Sequence, residues 1–210
     1  MTEFPDARII VFAKAPLPGE VKTRLIPNLG AHGAARLHEA LARRTLATAA
    51  QAELSPVHLW CAPSAQHPFF ADCRARFSVT LHTQQGADLG ARMAHALEKT
   101  LHECAYAVII GADCPTLTRD DLREALQALR DGCDAVLGPA EDGGYVLLGV
   151  RRADTALFDN IDWGGAEVLD ATRARLTALG WRRHELAPRW DVDRPEDIER
   201  MRRARLLPEW

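Results

Sequence analysis

Apolar and polar positions along this chain fall into alternating blocks that predict short strands followed by longer helices. Seven runs rich in β-branched and other apolar residues predict strands, and they cover 7–14, 56–62, 78–84, 106–113, 134–140, 145–150 and 181–186. Apolar residues at helical spacing predict helices, which cover 33–54, 66–77, 89–104, 116–132, 166–180 and 194–207. The run 106–113 is apolar on both faces, as in strands that helices cover on both sides.

The order of these elements predicts the fold class. Strands that alternate with helices indicate an α/β fold, with a mostly parallel sheet and helices on both faces. In such sheets, ligands bind beyond the carboxyl ends of the strands, beside the point where the strand order reverses. Four motifs follow predicted strands and are therefore the candidates for a site: "FAKAPLPGEVKTRL" at 12–25, "GADCP" at 111–115, "GPAEDGGY" at 138–145 and "WDVDRPED" at 190–197.

Composition narrows the class of protein. A length of 210 residues with 47% hydrophobic residues suits one domain, 1–210. The net charge of −3 provides no general basic field, so we expect no nucleic-acid partner. No apolar stretch approaches the roughly 20 residues of a membrane span, and no signal-peptide pattern begins the chain, so we expect a cytoplasmic protein. The five cysteines form no CxxC pair, which disfavours a disulfide framework or a zinc site.

The opening motif resembles a phosphate-binding loop without being a Walker loop. The end of a Walker loop requires glycine before its lysine, and Val21 stands there. A looser cradle is still open, because Gly19 permits close backbone approach and three cations can surround a polyphosphate. These cations are Lys14, Lys22 and Arg24. The alternative is a solvated cationic loop that two prolines shape.

Carboxylates follow three of the later strands. Asp113 comes directly after the central apolar run, where it can hold Mg²⁺ or cap a turn. Asp142 precedes two glycines, a pattern that favours a β-hairpin but also suits close substrate approach. Asp193 with Glu196 fits the N-cap and partner of a capping box, or Asp193 binds metal. Asp191 has no such capping role, which leaves it as a functional candidate.

A fifth segment, "GADLGARM", precedes a predicted helix. Backbone amides at that entrance attract anions, and Arg92 adds a charge to Gly86 and Gly90. An ordinary loop–helix junction is the alternative.

The histidines show no ligand spacing, so we assign them to the surface or the core. Thr118 and Asp121 have the spacing of a capping box.

Taken together, "FAKAPLPGEVKTRL", "GADLGARM", "GADCPTL", "GPAEDGGYVLLG" and "WDVDRPED" resemble the DUF2064 family of uncharacterised bacterial GT-A-like proteins. That family is grouped with nucleotide-diphospho-sugar transferases and is similar to phospholactate guanylyltransferase. The resemblance spans nearly the whole chain in the right order. It implies a Rossmann-like GT-A fold that binds a nucleotide with Mg²⁺ or Mn²⁺. The chain departs from the usual patterns of this fold in two places. Its opening loop has one glycine where nucleotidyltransferases have several. Asp113 stands alone where many glycosyltransferases have a D-x-D motif.

The resemblance also implies roles for residues. Asp113 matches the metal-binding carboxylate, Lys22 and Arg24 match phosphate-contacting cations, and Asp142 and Asp193 match acidic motif positions. The expected catalytic residues are Lys22, Arg24, Asp113 and Asp142. The expected nucleotide-binding residues are Lys14, Gly19, Lys22, Arg24, Gly86, Gly90 and Arg92. The expected metal ligands are Asp113 and Asp193.

The predicted activity is metal-dependent transfer from a nucleotide, with a nucleotide and a small-molecule acceptor as partners. In its nucleotidyl form, an acceptor phosphate attacks the α-phosphorus of an NTP, a reaction that needs positioning and electrostatics more than a protein nucleophile. One alternative is a glycosyltransferase that uses a nucleotide-sugar, with Asp142 as the base. Another is a nucleotide-sensing protein without catalysis.

Overall fold

The computed structural model describes residues 2–207, and its strands form one seven-stranded sheet. The strands are β1 (Ala7–Lys14), β2 (Val57–Ala62), β3 (Thr80–Thr83), β4 (Tyr106–Gly111), β5 (Ala135–Pro139), β6 (Tyr145–Val150) and β7 (Arg183–Glu185). Each lies within a predicted run. The predicted strands are therefore confirmed, with ends that differ by up to two residues.

The helices also follow the apolar periodicity. They are α1 (Ile26–Gln51), α2 (Pro68–Phe77), α3 (Leu89–Leu101), α4 (Arg119–Arg130), α5 (Val168–Ala178) and α6 (Pro195–Arg203). The largest difference from prediction is α1, which begins seven residues earlier than expected and is interrupted at Gly30, whose φ of 69° and ψ of 164° are not helical. A short 3-10 turn, Thr23–Leu25, leads into it.

The sheet has the order β3-β2-β1-β4-β6-β5-β7. Strands β1, β2, β3 and β4 run parallel, and β7 runs parallel to β5. Strand β6 is antiparallel to both of its neighbours, β4 and β5. The D-G signal between β5 and β6 therefore marks a true hairpin, and the prediction of a mostly parallel sheet with helices on both faces is confirmed.

The central strand β4 supplies both layers of the core. Val108 and Ile110 join a cluster with α1, α2 and α4, whereas Ala107 and Ile109 join a second cluster with α3 and α5. Side chains alternate between the faces of a strand. A strand covered by helices on both faces must therefore be apolar at successive positions, which accounts for the continuous run in the sequence.

A third cluster brings the end of the described chain back to its beginning. Trp190, Val192 and Met201 pack against Leu25 of the 3-10 turn and Leu37 of α1. This packing places the 190–193 segment beside the opening loop. Among the helices of residues 2–207, none is both long enough and apolar enough to cross a membrane.

Candidate functional site

The reversal in strand order places a cavity beside the carboxyl ends of β1 and β4. The chain builds β2 and β3 on one side of β1 and then continues on its other side with β4. The two strand ends diverge into loops at this point, which opens a cleft. A cavity of about 460 Å³ lies there. The predicted site residues that line it are Lys14, Lys22, Arg24, Asp113 and Asp193.

Asp113 is the centre of this cavity's polar network. The Lys22 Nζ lies 2.9 Å from the Asp113 Oδ1 and donates a hydrogen bond of 2.5 Å to the Val192 carbonyl. The Asp113 Oδ1 is inaccessible to solvent, yet 42% of the side chain is exposed. The exposed part of the carboxylate is therefore Oδ2, which is free to meet a ligand.

Lys22 reaches Asp113 from a strained backbone position. Its φ of 48° lies in the left-handed region, which is uncommon for residues other than glycine. Only 4% of its side chain is exposed. Burial raises the pKa of Asp113, but the opposing Lys22 charge and the His38 ring outweigh it and hold that pKa well below its usual range. Asp113 is thus ionised at neutral pH.

His38 is a member of this network that the sequence analysis missed. It lies on α1 and is buried, and its Nε2 is 3.0 Å from the Lys14 carbonyl, so Nε2 must carry the donated hydrogen. Its Nδ1 lies 3.6 Å from the Asp113 Oδ1. His38 and Asp113 are 75 positions apart in sequence, and no spacing rule connects them. The general assignment of histidines to the surface or core is correct for the burial of His38 but overlooks this contact.

The prediction that Asp193 caps α6 is wrong. The Asp197 carboxylate accepts hydrogen bonds from the backbone amides of both Asp193 and Arg194, at 2.9 and 2.7 Å. The helix begins at Pro195, so the capping carboxylate comes from inside its first turn. Since its side chain is not needed for the cap, Asp193 pairs with Arg24 at the rim of the cavity.

Asp191 is half-buried and lies within electrostatic reach of two other carboxylates. Burial, the charge of Asp142 and, more weakly, that of Asp113 raise the pKa of Asp191 to about 6. Lys22 opposes this shift. Clustered carboxylates that repel one another are a setting in which a cation binds favourably.

The donor set fits a hard divalent cation such as Mg²⁺. Mg²⁺ prefers oxygen ligands and is usually held by one or two carboxylates together with substrate phosphates. Asp113 offers a free oxygen, and Asp191 and Asp193 are the candidates for the second carboxylate. Within residues 2–207, no three His, Cys, Asp or Glu side chains are arranged to hold a metal by themselves. A cation held by these carboxylates would need further oxygen ligands from water or substrate.

The entrance of α3 is arranged differently from the prediction. Asp88 caps the helix, with its Oδ1 accepting a 2.8 Å hydrogen bond from the Ala91 amide, so a carboxylate already occupies the end expected to attract an anion. Arg92 donates to the Gly86 carbonyl, and both line a smaller cavity next to Lys14.

Two of the predicted glycines lie outside these cavities. Gly90 packs against the Trp163 ring, where an added Cβ would lie 2.5 Å from the indole nitrogen. Gly19, with a φ of 88°, turns the opening loop and lines neither of these two cavities. The role of Gly19 in binding stays a prediction.

A second cavity of about 210 Å³ adjoins the first and contains Asp142. Asp142 lies in the β5–β6 hairpin, and its Oδ1 accepts a 2.9 Å hydrogen bond from the Gly144 amide. Trp163, in the segment before α5, and Val168, the first residue of α5, form another part of the cavity wall. Asp142 therefore has both a structural contact and a place at the edge of a cavity.

Comparison with solved structures supports the fold. A candidate nucleotide-diphospho-sugar transferase from Desulfovibrio desulfuricans G20 is 32% identical with a TM-score of 0.82, over 91% of this chain and 84% of that one. A CMP:2-keto-3-deoxy-manno-octonic acid synthetase complexed with CTP is 13% identical with a TM-score of 0.57, over 95% and 98% of the two chains. A Mycobacterium tuberculosis H37Rv protein in complex with manganese is 16% identical with a TM-score of 0.56, over 93% and 96%.

These likenesses confirm the predicted Rossmann-like GT-A fold of the nucleotide-diphospho-sugar transferase type. No curated protein matches the chain. Residues 45–165, more than half of the chain, match the family described as "Uncharacterized protein conserved in bacteria (DUF2064)". Three of the five motifs, "GADLGARM", "GADCPTL" and "GPAEDGGYVLLG", lie within the matched residues. The chain therefore belongs to the DUF2064 family.

Proposed function

We propose that this protein is a metal-dependent nucleotidyltransferase that transfers the nucleoside monophosphate group of an NTP to a small phosphorylated acceptor. The observation that carries the proposal is the Asp113 carboxylate, which Lys22 and His38 hold with one oxygen free at a cleft lined by cations. The names of similar folds support nucleotide use, since one is a candidate nucleotide-diphospho-sugar transferase and another is a synthetase solved with CTP.

The reaction forms one phosphorus–oxygen bond and breaks another. An oxygen of the acceptor phosphate attacks the α-phosphorus of the NTP, and the bond to the β-phosphate oxygen breaks. Pyrophosphate leaves with the bonding electrons, and no proton transfer is required when the attacking phosphate is a dianion. Such a step depends on positioning and on charge neutralisation and requires no protein nucleophile.

The residues of the first cavity have different roles: some would contact phosphates or a metal ion, and others orient those residues. Lys14 and Arg24 are exposed cations at the rim, where they are placed to contact the phosphates of the nucleotide. Lys22 is committed to Asp113 and to Val192, so it orients the carboxylate in addition to its predicted phosphate contact. Asp113 with Asp191 or Asp193 would hold Mg²⁺ or Mn²⁺. When bound, that cation supplies neutralisation of charge on the phosphates.

Glycosyl transfer from a nucleotide-sugar is the second candidate. Asp142 favours it, because this exposed carboxylate uses one oxygen for the Gly144 amide and leaves the other free to accept a proton from an acceptor hydroxyl. The product separates the two reactions, since nucleotidyl transfer releases pyrophosphate and glycosyl transfer releases a nucleoside diphosphate. A nucleotide sensor without catalysis would bind the nucleotide and release neither.

The first experiment is thermal unfolding of the protein with a panel of NTPs and nucleotide-sugars, with and without Mg²⁺ or Mn²⁺. A ligand present at about 100 times its dissociation constant stabilises a protein by roughly 2.7 kcal/mol. We expect a metal-dependent shift with one NTP. A shift restricted to a nucleotide-sugar would favour glycosyl transfer, and a folded protein that responds to no nucleotide would contradict the proposal.

Replacing Asp113 with Asn tests the centre of the site. We expect product release to fall by a factor on the order of 100 or more, because the neutral amide neither attracts a cation nor pairs with Lys22. Asp120→Asn is a matched control, since Asp120 is an exposed residue on the first turn of α4. Equal activity in both variants, each with an unchanged metal requirement, would remove Asp113 from its role.

A further inference from the structure

The second cavity differs in chemistry from the first although the two are continuous. Phe12, Leu89 and Gly111 line both cavities. Beyond them, the walls of the second cavity are mainly apolar, from Met93, Val146, Trp163 and Val168. No Lys, Arg or His is among its lining residues in the part of the chain that the structure describes. A charged phosphate is thus accommodated in the first cavity and an apolar group in the second.

Few polar groups line the second cavity, and some of them are already engaged. The Gly144 amide donates to Asp142 and the Gly165 amide donates to the Asp162 carbonyl. The Tyr145 hydroxyl is inaccessible to solvent and has no hydrogen-bond partner among the described residues. The Asp142 side chain keeps one oxygen for a ligand. A polyhydroxylated group buried here would leave most of its hydroxyls without partners, and buried hydroxyls without partners weaken binding.

Two features of the boundary between the cavities suit an apolar ligand that passes from one to the other. Leu89 is 45% exposed and is the one large apolar side chain exposed within residues 2–207. It stands on the shared wall, where a ligand would cover it. Gly111 ends β4, and a Cβ there would have no atom within 4 Å, so the absent side chain leaves the passage open.

From this arrangement, we propose that the acceptor is a small phosphate monoester with a compact apolar body, such as an aryl or branched-alkyl group, rather than a sugar phosphate. Its phosphate lies in the first cavity and its apolar body in the second. The volume is appropriate, because an apolar cavity of roughly 150 Å³ accommodates benzene and this one measures about 210 Å³. This proposal rests on the proposed function, because only a transferase has an acceptor. The preference of the second cavity for an apolar group does not depend on turnover.

The test compares the affinities of phenyl phosphate, glucose 1-phosphate and inorganic phosphate by calorimetry, with Mg²⁺ present. We expect phenyl phosphate to bind at least tenfold more tightly than either of the others, because only its ring fills the apolar cavity. Glucose 1-phosphate binding as tightly as phenyl phosphate would overturn the proposal. Failure of phenyl phosphate to bind would also overturn it.

Two variants test whether the second cavity is the source of the preference for phenyl phosphate. Leu89→Gln changes an exposed wall residue, and Gly111→Val fills the passage at a strand end that suits a β-branched residue. Each should reduce the ratio of phenyl phosphate affinity to inorganic phosphate affinity at least fivefold. Leu179→Gln is the matched control, since Leu179 also lies at a helix end but lines neither cavity. An unchanged ratio in folded Leu89→Gln and Gly111→Val proteins would contradict the assignment of this cavity.

The same assays separate this proposal from the proposed function. If no NTP stabilises the protein but phenyl phosphate keeps its advantage and loses it in the variants, the nucleotidyltransferase proposal fails and the apolar site stands. If an NTP binds and is turned over with sugar phosphates in preference, the proposed function stands and the apolar acceptor fails.

Discussion

At the scale of single residues, the site depends on the ion pair between Lys22 and Asp113. Lys22 is buried in a left-handed backbone conformation and is also hydrogen-bonded to the Val192 carbonyl. The Lys22 ammonium is buried but has two partners, so its burial costs little. Without Lys22, the buried Asp113 oxygen would lose its cation, which is unfavourable. The pair therefore contributes to stability and sets the ionisation of Asp113.

Replacing Lys22 with Met should lower the free energy of unfolding by about 1–2 kcal/mol, because the inaccessible Asp113 Oδ1 loses its cation. It should also raise the pKa of Asp113, because the Lys22 charge is the largest of the effects that lower that pKa. Urea unfolding measures the first effect, and carboxyl chemical shifts as a function of pH measure the second. Lys14→Met is the control, since Lys14 is exposed. Equal stability of the two variants would argue that the buried pair contributes nothing net.

A histidine pair on the two outer parallel strands makes stability depend on pH. Burial, followed by the charges of His82 and Arg8, lowers the pKa of His58 from 6.5 to about 4, against the opposing Glu103. Burial likewise lowers the pKa of His82. His58 and His82 line a cavity together with His95 and Lys99 of α3. A lowered histidine pKa means that the unfolded chain binds protons first, so stability falls as pH drops from about 6.5 toward 4.

His58→Gln should therefore flatten the acid side of the stability profile. At pH 5 the wild-type protein loses on the order of 2 kcal/mol through His58 relative to pH 7.5, and the variant does not. Urea unfolding at the two pH values gives the difference directly. Parallel profiles for the two proteins would show that His58 is not buried in its neutral form.

At the scale of elements, the β5–β6 hairpin carries Asp142 and also supports the wall opposite it. Gly143 has a φ of 92°, and its carbonyl accepts a 2.9 Å hydrogen bond from the Leu169 amide. A Cβ on Gly143 would lie 1.9 Å from the Ala166 carbonyl oxygen. The D-G signal thus specifies a turn, and the second reason for glycine, the close approach of the segment before α5, is visible only in three dimensions.

Gly143→Ala should destabilise the protein by about 2–4 kcal/mol, because it adds a backbone clash to an unfavourable φ. Gly164→Ala is a matched comparison with a φ of 96° and no atom within 4 Å of the added Cβ, so we expect only about 1 kcal/mol there. Thermal and urea unfolding of both variants isolate the clash. Similar losses in the two would indicate that the α5 segment moves away at little cost.

Capping shows what local spacing can and cannot predict at this scale. For α4, the Thr118 hydroxyl accepts from the Asp121 amide while the Asp121 carboxylate accepts from the Thr118 amide, as the sequence predicts. For α6, Asp193 and Glu196 have the same spacing, yet Asp197 takes the capping role. Both carboxylates are locally acceptable caps. The packing of Trp190 and Val192 on α1 decides which residue begins the helix.

At the scale of the whole molecule, the site is completed by a segment that returns from the far end of the chain. The Val192 amide donates to the Asp113 carbonyl at 3.0 Å, and the Val192 carbonyl accepts from Lys22. Arg189 anchors this segment through two hydrogen bonds to the buried Asp121, at 2.6 and 3.0 Å. The position of Asp191 and Asp193 relative to Asp113 therefore depends on an ion pair outside the cavity.

Arg189→Met should lower the free energy of unfolding by about 2–3 kcal/mol, because Asp121 is buried and loses its cation. It should also weaken metal-dependent nucleotide binding, since the segment that holds Asp191 is no longer fixed. Urea unfolding and the nucleotide thermal shift measure the two effects. Arg203→Met is the control, because its ion pair with Glu199 is largely exposed and should change stability by less than about 0.5 kcal/mol. Unimpaired nucleotide binding in the Arg189→Met protein would show that the Arg189–Asp121 ion pair is not needed to position the site.

The sequence by itself determined the elements, the α/β class, the hairpin, the four motifs at strand ends and the family, because each depends on residue type and short spacing. Tertiary structure alone decided which residues meet. His38 reaches Asp113 from α1, Lys22 bonds to Val192, and Asp197 displaces Asp193 as the cap. These contacts join residues far apart in the chain, and the packing that selects them is a property of the whole sheet and its helices. The apolar cavity beside Asp142 is likewise formed by five separate segments, so no local pattern predicts it.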